Sequence, residues 1–187
     1  QNRKRITRLI PQWQAAIVIG HRSYNYPPDH RYVGGLSRDS AFMVPAKFIC
    51  PDHPPLKRNS VFLYSYKGFQ RPVLFRADIM GAIDSVIDQK IDALLVMESQ
   101  FIEGEHEVRL NRPKNLEQRE AKQQQVQESF PRRLADLGNR RWDKLIELYG
   151  EEVGKKVQYA EASHICGHGR QPFQEEPHRL FAFLPKR

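Results

Sequence analysis

The chain opens with a helical pattern followed by a strand pattern. Four apolar side chains recur at helical spacing and predict a helix over residues 3–13: Ile6, Leu9, Ile10 and Trp13. Pro11 should end or kink this helix early. The next segment, Ala15 to Gly20 (AAIVIG), is a short, β-branched apolar run, typical of a strand buried on both faces of a parallel sheet. We therefore expect a central parallel strand in an α/β fold.

A polar loop containing two prolines, HRSYNYPP, follows this strand. Asp29 is well placed as the N-cap of a helix from His30 to about Met43. Ligands of open α/β sheets sit beyond the carboxyl ends of the strands, so Asp29 and His30 would face a cleft. A histidine in the first turn of a helix can bind a metal or carry a proton. The pattern equally fits a capping Asp29 beside an exposed turn residue, and periodicity alone does not choose.

The remaining pattern predicts two strands, several helices and one polar excursion. SVFLYSY (60–66) and PVLFRADI (72–79) are strand-like, and Asp84 to Met97 is an amphipathic helix. Its apolar side is expected to pack on the sheet through Val86, Ile87, Ile91 and Leu94. Residues 103–128 are charged and rich in glutamine, which indicates a mobile excursion or an exposed helix. Helical periodicity then resumes from Phe130 to Gly150, a possible C-cap. The tail YAEASHICGHGRQPF predicts a short helix and a glycine turn, followed by an apolar anchor.

Charge and cysteine content narrow the function classes. The 187 residues include 30 Lys and Arg against 22 Asp and Glu, for a formal net charge of +8. Because the basic residues are scattered, we expect a solvated basic surface and no specific nucleic-acid partner. The alternative is a non-catalytic basic interaction protein that uses Lys and Arg of residues 109–141. Two cysteines, no secretory segment and no apolar run near 18 residues predict a cytoplasmic protein without a membrane span.

The segment VIGHRSYNYPPDHRYVGGLSRDSAFMV resembles the PIG-L-like deacetylases, zinc-dependent hydrolases of N-acetylglucosamine-type amides whose second motif reads His-Pro-Asp-His-Arg. The likeness continues through ICPDHPPLKRNSVFLYSYKGFQRPVLFRADI, IDSVIDQKIDALLVMESQF and YAEASHICGHGRQP. The resemblance implies a Rossmann-like layered sheet with flanking helices, formed by one domain over residues 1–187. It also implies an N-acetylated amino-sugar conjugate as the substrate.

The resemblance carries over to few site residues. His30 matches the zinc-binding histidine that ends the second motif, and Asp29 and Arg31 beside it are candidates to support its ring or loop. The family's AHPDD segment, which supplies the other zinc ligands and the general base, is absent from this sequence. Pro27 stands where the motif has its first histidine, and Met97 where the family often has another. The resemblance therefore implies the C-terminal part of such an enzyme, incomplete at the N-terminal edge of the sheet, or a catalytically impaired relative. No residue of this chain is assigned a catalytic role.

The residues alone suggest two weaker sites. Five potential metal ligands occur in two loops, at spacings that differ from common zinc sites: Cys50, His53, His164, Cys166 and His168. The alternative is an ordinary loop cysteine and a buried, apolar Cys166. A thiol nucleophile at Cys166 is also conceivable. It would require Gly167 to have broken the predicted helix, because neighbours two positions apart on a helix point to different faces.

Overall fold

The structure is a computed structural model that describes residues 1–69, 71–103, 112–173 and 176–186. It has the mixed α/β architecture that the sequence predicts. The elements in chain order are α1 (Asn2–Gln12), β1 (Ile17–Gly20), α2 (Pro28–Met43), β2 (Val61–Ser65), β3 (Ile79–Ala82), a 3₁₀ turn (Asp84–Val86), α3 (Ile87–Val96), α4 (Glu98–Phe101), α5 (Leu116–Asn139), α6 (Trp142–Tyr149), α7 (Glu151–Gly154), β4 (Ala160–Gly169) and α8 (Glu176–Leu180).

The strands form one sheet in the order β1-β2-β4-β3. Strand β1 runs parallel to β2, with Ile17 opposite Val61. Strand β4 runs antiparallel to β2, and a register shift lies between Val61 and Leu63. The prediction of a parallel β1 is confirmed, but its central position is wrong, because β1 is an edge strand of the described sheet. The predicted burial of this strand on both faces is also wrong, because Ile19 is 61% exposed.

The chain forms two compact units, Gln1–Met80 with Ala162–Arg187, and Gly81–Glu161. In the first unit, helices α1 and α2 contact each other, and α2 also contacts β1 and β2. The core of this unit is a cluster of buried side chains: Ile10, Ala41, Val44, Leu56, Phe62 and Cys166. The prediction of a single domain over residues 1–187 stays a prediction.

The second unit is built on contacts between helices. Ile91 and Leu94 are buried on α3, as predicted, but they pack with Val126 of α5 in one cluster. The predicted packing of this apolar side on the sheet is therefore wrong. Val86 is 42% exposed and lies in the 3₁₀ turn that precedes α3.

Three further predictions need correction or qualification. The tail expected to be helical is the ten-residue strand β4, because pairing with β2 overrides the helix preference of its Ala and Glu residues. Within PVLFRADI only Ile79 belongs to a strand. The polar excursion includes the whole first half of α5, which agrees with the predicted alternative of an exposed helix. Residues 104–111 of the excursion lie outside the described part. No helix in the described ranges is long and apolar enough to cross a membrane.

Candidate functional site

The loop after β1 is held tightly between the strand and helix α2. Helix α2 begins at Pro28, with Pro27 as its N-cap and Asp29 in its first turn. The prediction that Asp29 caps the helix is wrong, because the fixed φ of Pro28 suits the first helical position and starts the helix two residues earlier than predicted. Further along α2, an ideal Cβ on Gly34 would lie 2.4 Å from the carbonyl oxygen of His21. Helix α2 therefore lies so close to the residue after β1 that a side chain at position 34 would clash with its backbone.

This close approach brings two histidine rings together. The rings of His21 and His30 are parallel, with centroids 4.0 Å apart and planes 3° apart. Burial lowers the pKa of His21, and the nearby His30 and Lys67 lower it further. The Nδ1 atom of His21 and the Oγ atom of Ser23 are buried without a hydrogen-bond partner among the described residues. The stacked pair is thus accompanied by unsatisfied polar atoms, which is unusual in a folded protein.

Asn25 makes a polar contact with the ring of His30. Asn25 is 2% exposed, and its Nδ2 atom lies 3.1 Å from Nδ1 of His30. Its Oδ1 atom accepts a hydrogen bond of 2.9 Å from the backbone N–H of Tyr26. Arg31 supports the same loop, because its Nη1 donates to the carbonyl of Tyr26 at 2.7 Å. Asp29 is exposed in the first turn of α2.

Arg22 joins this loop to a second one. The guanidinium is buried and donates to the carbonyl oxygens of Phe69, at 2.7 Å, and Val73. It also lies 6.0 Å from the centroid of the Phe75 ring. A buried arginine bonded to two carbonyls keeps its positive charge in a fixed position between these two loops.

His164 lies at the same edge of the sheet, because the antiparallel β4 places it directly opposite Tyr64 of β2. The rings of Tyr64 and Phe75 meet the His164 ring edge to face, at centroid distances of 6.0 Å and 5.7 Å. The site therefore contains residues from the loop after β1, from α2, β2 and β4, and from the segment before β3.

Burial and the neighbouring charges together favour the neutral form of the His164 ring. Burial is the largest cause and lowers the pKa of His164. The negative charge of Asp78 partly opposes this effect, and Arg76 and Arg22 lower the pKa further. The Nε2 atom lies 3.9 Å from Oδ2 of Asp78, which is too long for a hydrogen bond. Oδ2 of Asp78 instead accepts the backbone N–H of Ile165 at 2.8 Å.

The five residues of the weaker metal hypothesis have other contacts. Cys166 is 1% exposed and its thiol lies 3.0 Å from the hydroxyl of Tyr64, whose pKa is raised by burial and by this contact. Cys50 is buried against the carbonyl of Lys4, His53 lies beside Asp52, and His168 is exposed. Within the described residues, no group of three or more His, Cys, Asp or Glu side chains is arranged to hold a metal ion.

A catalytic zinc takes about three protein ligands and one open position. Apart from the stacked His21, His30 belongs to no group of three or more potential ligands among the described residues, and its Nδ1 already lies within hydrogen-bond distance of an amide nitrogen. These residues by themselves therefore do not fit a catalytic zinc.

Three residues of this site were not predicted from the sequence: His21, Arg22 and Asn25. The signal was present, because HRSYN follows directly on the apolar strand, and polar residues at that point of an α/β fold lie at the ligand-binding edge. The arrangement brings the imidazole rings of His21 and His30 and the guanidinium of Arg22 into the loop after β1. Such a set suits the polarisation of a carbonyl oxygen or the binding of an anion.

Comparison with solved structures supports the fold. No protein-family model matches the chain. The 4-carboxy-2-hydroxymuconate hydratase GalB from Pseudomonas putida superposes with a TM-score of 0.59 at 16% identity, over 92% of this chain and 60% of that chain. The N,N'-diacetylchitobiose deacetylase from Pyrococcus horikoshii gives 0.56 at 18% identity, over 88% and 51%. A conserved protein from Thermus thermophilus gives 0.54 at 15% identity, over 90% and 59%.

The chain spans between 51% and 60% of the length of these structures. At these identities the likeness concerns the fold, and it agrees with the sheet and the flanking helices described above. The chain has the α/β fold that a diacetylchitobiose deacetylase and a muconate hydratase share.

Proposed function

We propose that this chain belongs to an amide hydrolase of the deacetylase type, which removes the acetyl group from an N-acetylated amino sugar. The observation that carries the proposal is the edge formed by His21, His30 and the buried Arg22 at the carboxyl end of β1. It stands in a fold that a diacetylchitobiose deacetylase also has. The resemblance of residues 18–44 to the PIG-L-like deacetylases points to the same reaction class.

In this proposal the acetamide binds with its carbonyl oxygen facing His30. A hydrogen bond to that oxygen is worth more as the carbon becomes tetrahedral and the oxygen gains negative charge. Two cations add positive potential at the carboxyl end of β1. Lys67 lowers the pKa of His21, and Arg22 lowers the pKa of His164. Water supplies the hydroxyl of the released acetate, and the amine leaves with the proton.

Zinc remains part of the proposal only through the family resemblance. The residues described here supply His30 as the one candidate ligand, with Asp29 and Arg31 beside it. Pro27 has no N–H or side-chain donor at the position where the family motif has a histidine. We therefore expect this chain to be an impaired catalyst, with weak zinc binding and slow release of acetate.

The test is a titration of the chain with N,N'-diacetylchitobiose, followed by the imidazole signals in NMR spectra and by an assay of released acetate. We expect the signals of His21 and His30 to shift, and His30→Ala to remove the saturable response. The matched control is His168→Ala, an exposed histidine outside this edge, which should bind as the wild type does. Absence of binding, or equal binding by His30→Ala, would contradict the proposal.

A hydratase is the second candidate, because the hydratase GalB superposes on 92% of this chain. Hydration of a muconate adds water across a carbon–carbon double bond and also requires a bound carboxylate or enol oxygen. Arg22 and His30 would suit such an anion. Loss of the ultraviolet absorbance of 4-carboxy-2-hydroxymuconate on incubation with the chain, without acetate release from the saccharide, would favour this reaction.

A further inference from the structure

The amide of Asn25 has only one satisfactory orientation. Its Oδ1 accepts the backbone N–H of Tyr26 at 2.9 Å, and the opposite end of the amide faces Nδ1 of His30 at 3.1 Å. If the amide were turned by 180°, its NH₂ group would meet the N–H of Tyr26, and two donors would face each other. The atom beside His30 is therefore the donor Nδ2.

A donor at this position decides where the imidazole carries its proton. Nδ1 of His30 must accept from Nδ2 of Asn25, so neutral His30 carries its single proton on Nε2. The parallel contact with His21, 4.0 Å between centroids, holds the plane of the ring. Asn25 then selects which nitrogen is the acceptor.

We infer that Asn25 is a positioning residue that sets neutral His30 as an Nε2–H hydrogen-bond donor, and so opposes metal ligation through Nε2. A ligating nitrogen needs a lone pair, and metal-bound histidines usually donate their other N–H to a carboxylate or a carbonyl. Asn25 presents the reverse arrangement. The inference concerns the same site as the proposed function, but it follows from the hydrogen bonds alone and does not depend on the substrate.

The chain contains a histidine with the opposite arrangement. Nδ1 of His178 lies 2.7 Å from the carbonyl oxygen of Pro185, and a carbonyl can only accept. Neutral His178 therefore carries its proton on Nδ1. Because both histidines belong to one molecule, a single spectrum can compare the two tautomers.

The first measurement is a long-range ¹H–¹⁵N spectrum of the whole chain at about pH 8.5, roughly two units above the ordinary pKa of histidine. We expect the Nε2–H pattern for His30 and the Nδ1–H pattern for His178. If Asn25 had only a structural role, His30 would not be required to adopt the Nε2–H tautomer. An Nδ1–H pattern for His30 would overturn the inference, and this result needs no variant.

The second measurement uses Asn25→Asp, which keeps the shape of the side chain and replaces the donor Nδ2 by an acceptor oxygen. His30 should change to the Nδ1–H tautomer, and Zn²⁺ added to the metal-free chain should bind on the order of tenfold more tightly, since outer partners of ligating histidines change metal affinity about 10–100-fold. An unchanged tautomer in the folded variant would overturn the role of Asn25.

Asn115→Asp is the matched control, because Asn115 also accepts a backbone N–H through Oδ1, from Gln118 at 2.9 Å, and has no described histidine contact. It adds the same charge and should change neither the tautomer of His30 nor zinc affinity. If both variants bound Zn²⁺ more tightly by the same factor, the cause would be the added charge, and the inference would be overturned. Because neither measurement contains a saccharide, failure of the inference and failure of the proposed function are distinguishable.

Discussion

The α-carbon of Gly34 faces the carbonyl oxygen of His21 so closely that an ideal Cβ would lie 2.4 Å from that oxygen. Gly34→Ala should therefore push α2 away from the end of β1, lower the stability and separate the stacked rings of His21 and His30. The neighbouring Gly35 has open space around its α-carbon, so Gly35→Ala should be neutral or stabilise by about 0.5–1 kcal/mol. Urea unfolding of both variants measures the difference. Equal stabilities would show that α2 does not approach β1 in this way.

Arg22→Lys should destabilise the chain although it keeps the charge. An ammonium cannot reach the carbonyls of both Phe69 and Val73 as the guanidinium does, and a hydrogen bond to a charged group is worth about 1.5–3 kcal/mol. Arg58→Lys is the control, because the Arg58 side chain is 73% exposed beside Glu176, and surface ion pairs contribute about 0–1 kcal/mol. The midpoints of chemical denaturation compare the two, and a smaller loss for Arg22→Lys would contradict the packing of the loop.

His164 should make stability depend on pH. Its pKa is lowered in the folded state, mainly by burial, so the unfolded chain takes up this proton more readily. The contribution is fully present above the ordinary pKa of about 6.5 and is lost as the pH falls through the lower folded pKa. His164→Gln should flatten the loss of stability as the pH falls below about 6.5. His168→Gln, at an exposed position of the same strand, should retain the wild-type profile. Urea midpoints across this range test both expectations.

Ile91→Ala should cost about 2–5 kcal/mol, because truncation leaves a cavity between α3 and α5. Ile91 is 7% exposed and belongs to the cluster with Leu94 and Val126. Val96, near the end of the same helix, is 80% exposed, and Val96→Ala should change stability by less than about 0.5 kcal/mol. Thermal and urea unfolding measure both variants. A tolerated Ile91→Ala would contradict the packing of this unit.

Pro27→His should increase acetate release if the proposed reaction is right. A histidine there supplies a donor to the developing oxyanion, and one such donor is typically worth on the order of 100-fold in rate. Removal of the proline should cost up to about 1 kcal/mol of stability, through the more flexible unfolded chain. Pro28→His is the matched control one residue further on, inside α2. Equal rates for both variants and the wild type would contradict the role assigned to position 27.

The sequence predicted best where local chemistry decides the structure. The apolar run ending at Gly20, the prolines at positions 27 and 28 and the small residues of α2 specify a strand, a loop and a helix without distant partners. The resulting position of His30 beyond β1 follows from that order of elements. The start of α2 differed by two residues, because a proline at the first helical position competes with the capping preference of Asp29.

The sequence failed where distant pairing decides the structure. Residues 160–169 contain Ala and Glu, which favour helices, yet they form β4 because β2 offers an unpaired edge. His164 therefore reaches the site only through the strand register, which no local pattern contains. The buried contact between Asn25 and His30 was missed for another reason, because asparagine in a polar loop is ordinarily a turn residue.

The pairing of β2 with β4 also affects how the protein is made. Tyr64 and Cys166, which touch across these strands, are 102 positions apart. On a ribosome, β1 and β2 leave the exit tunnel long before β4, and the intervening residues have time to form their own helices. During this interval one edge of β2 is unpaired, and such edges recruit other chains. Completion of the sheet is therefore expected to be the slow step of folding, when a chaperone would be most useful.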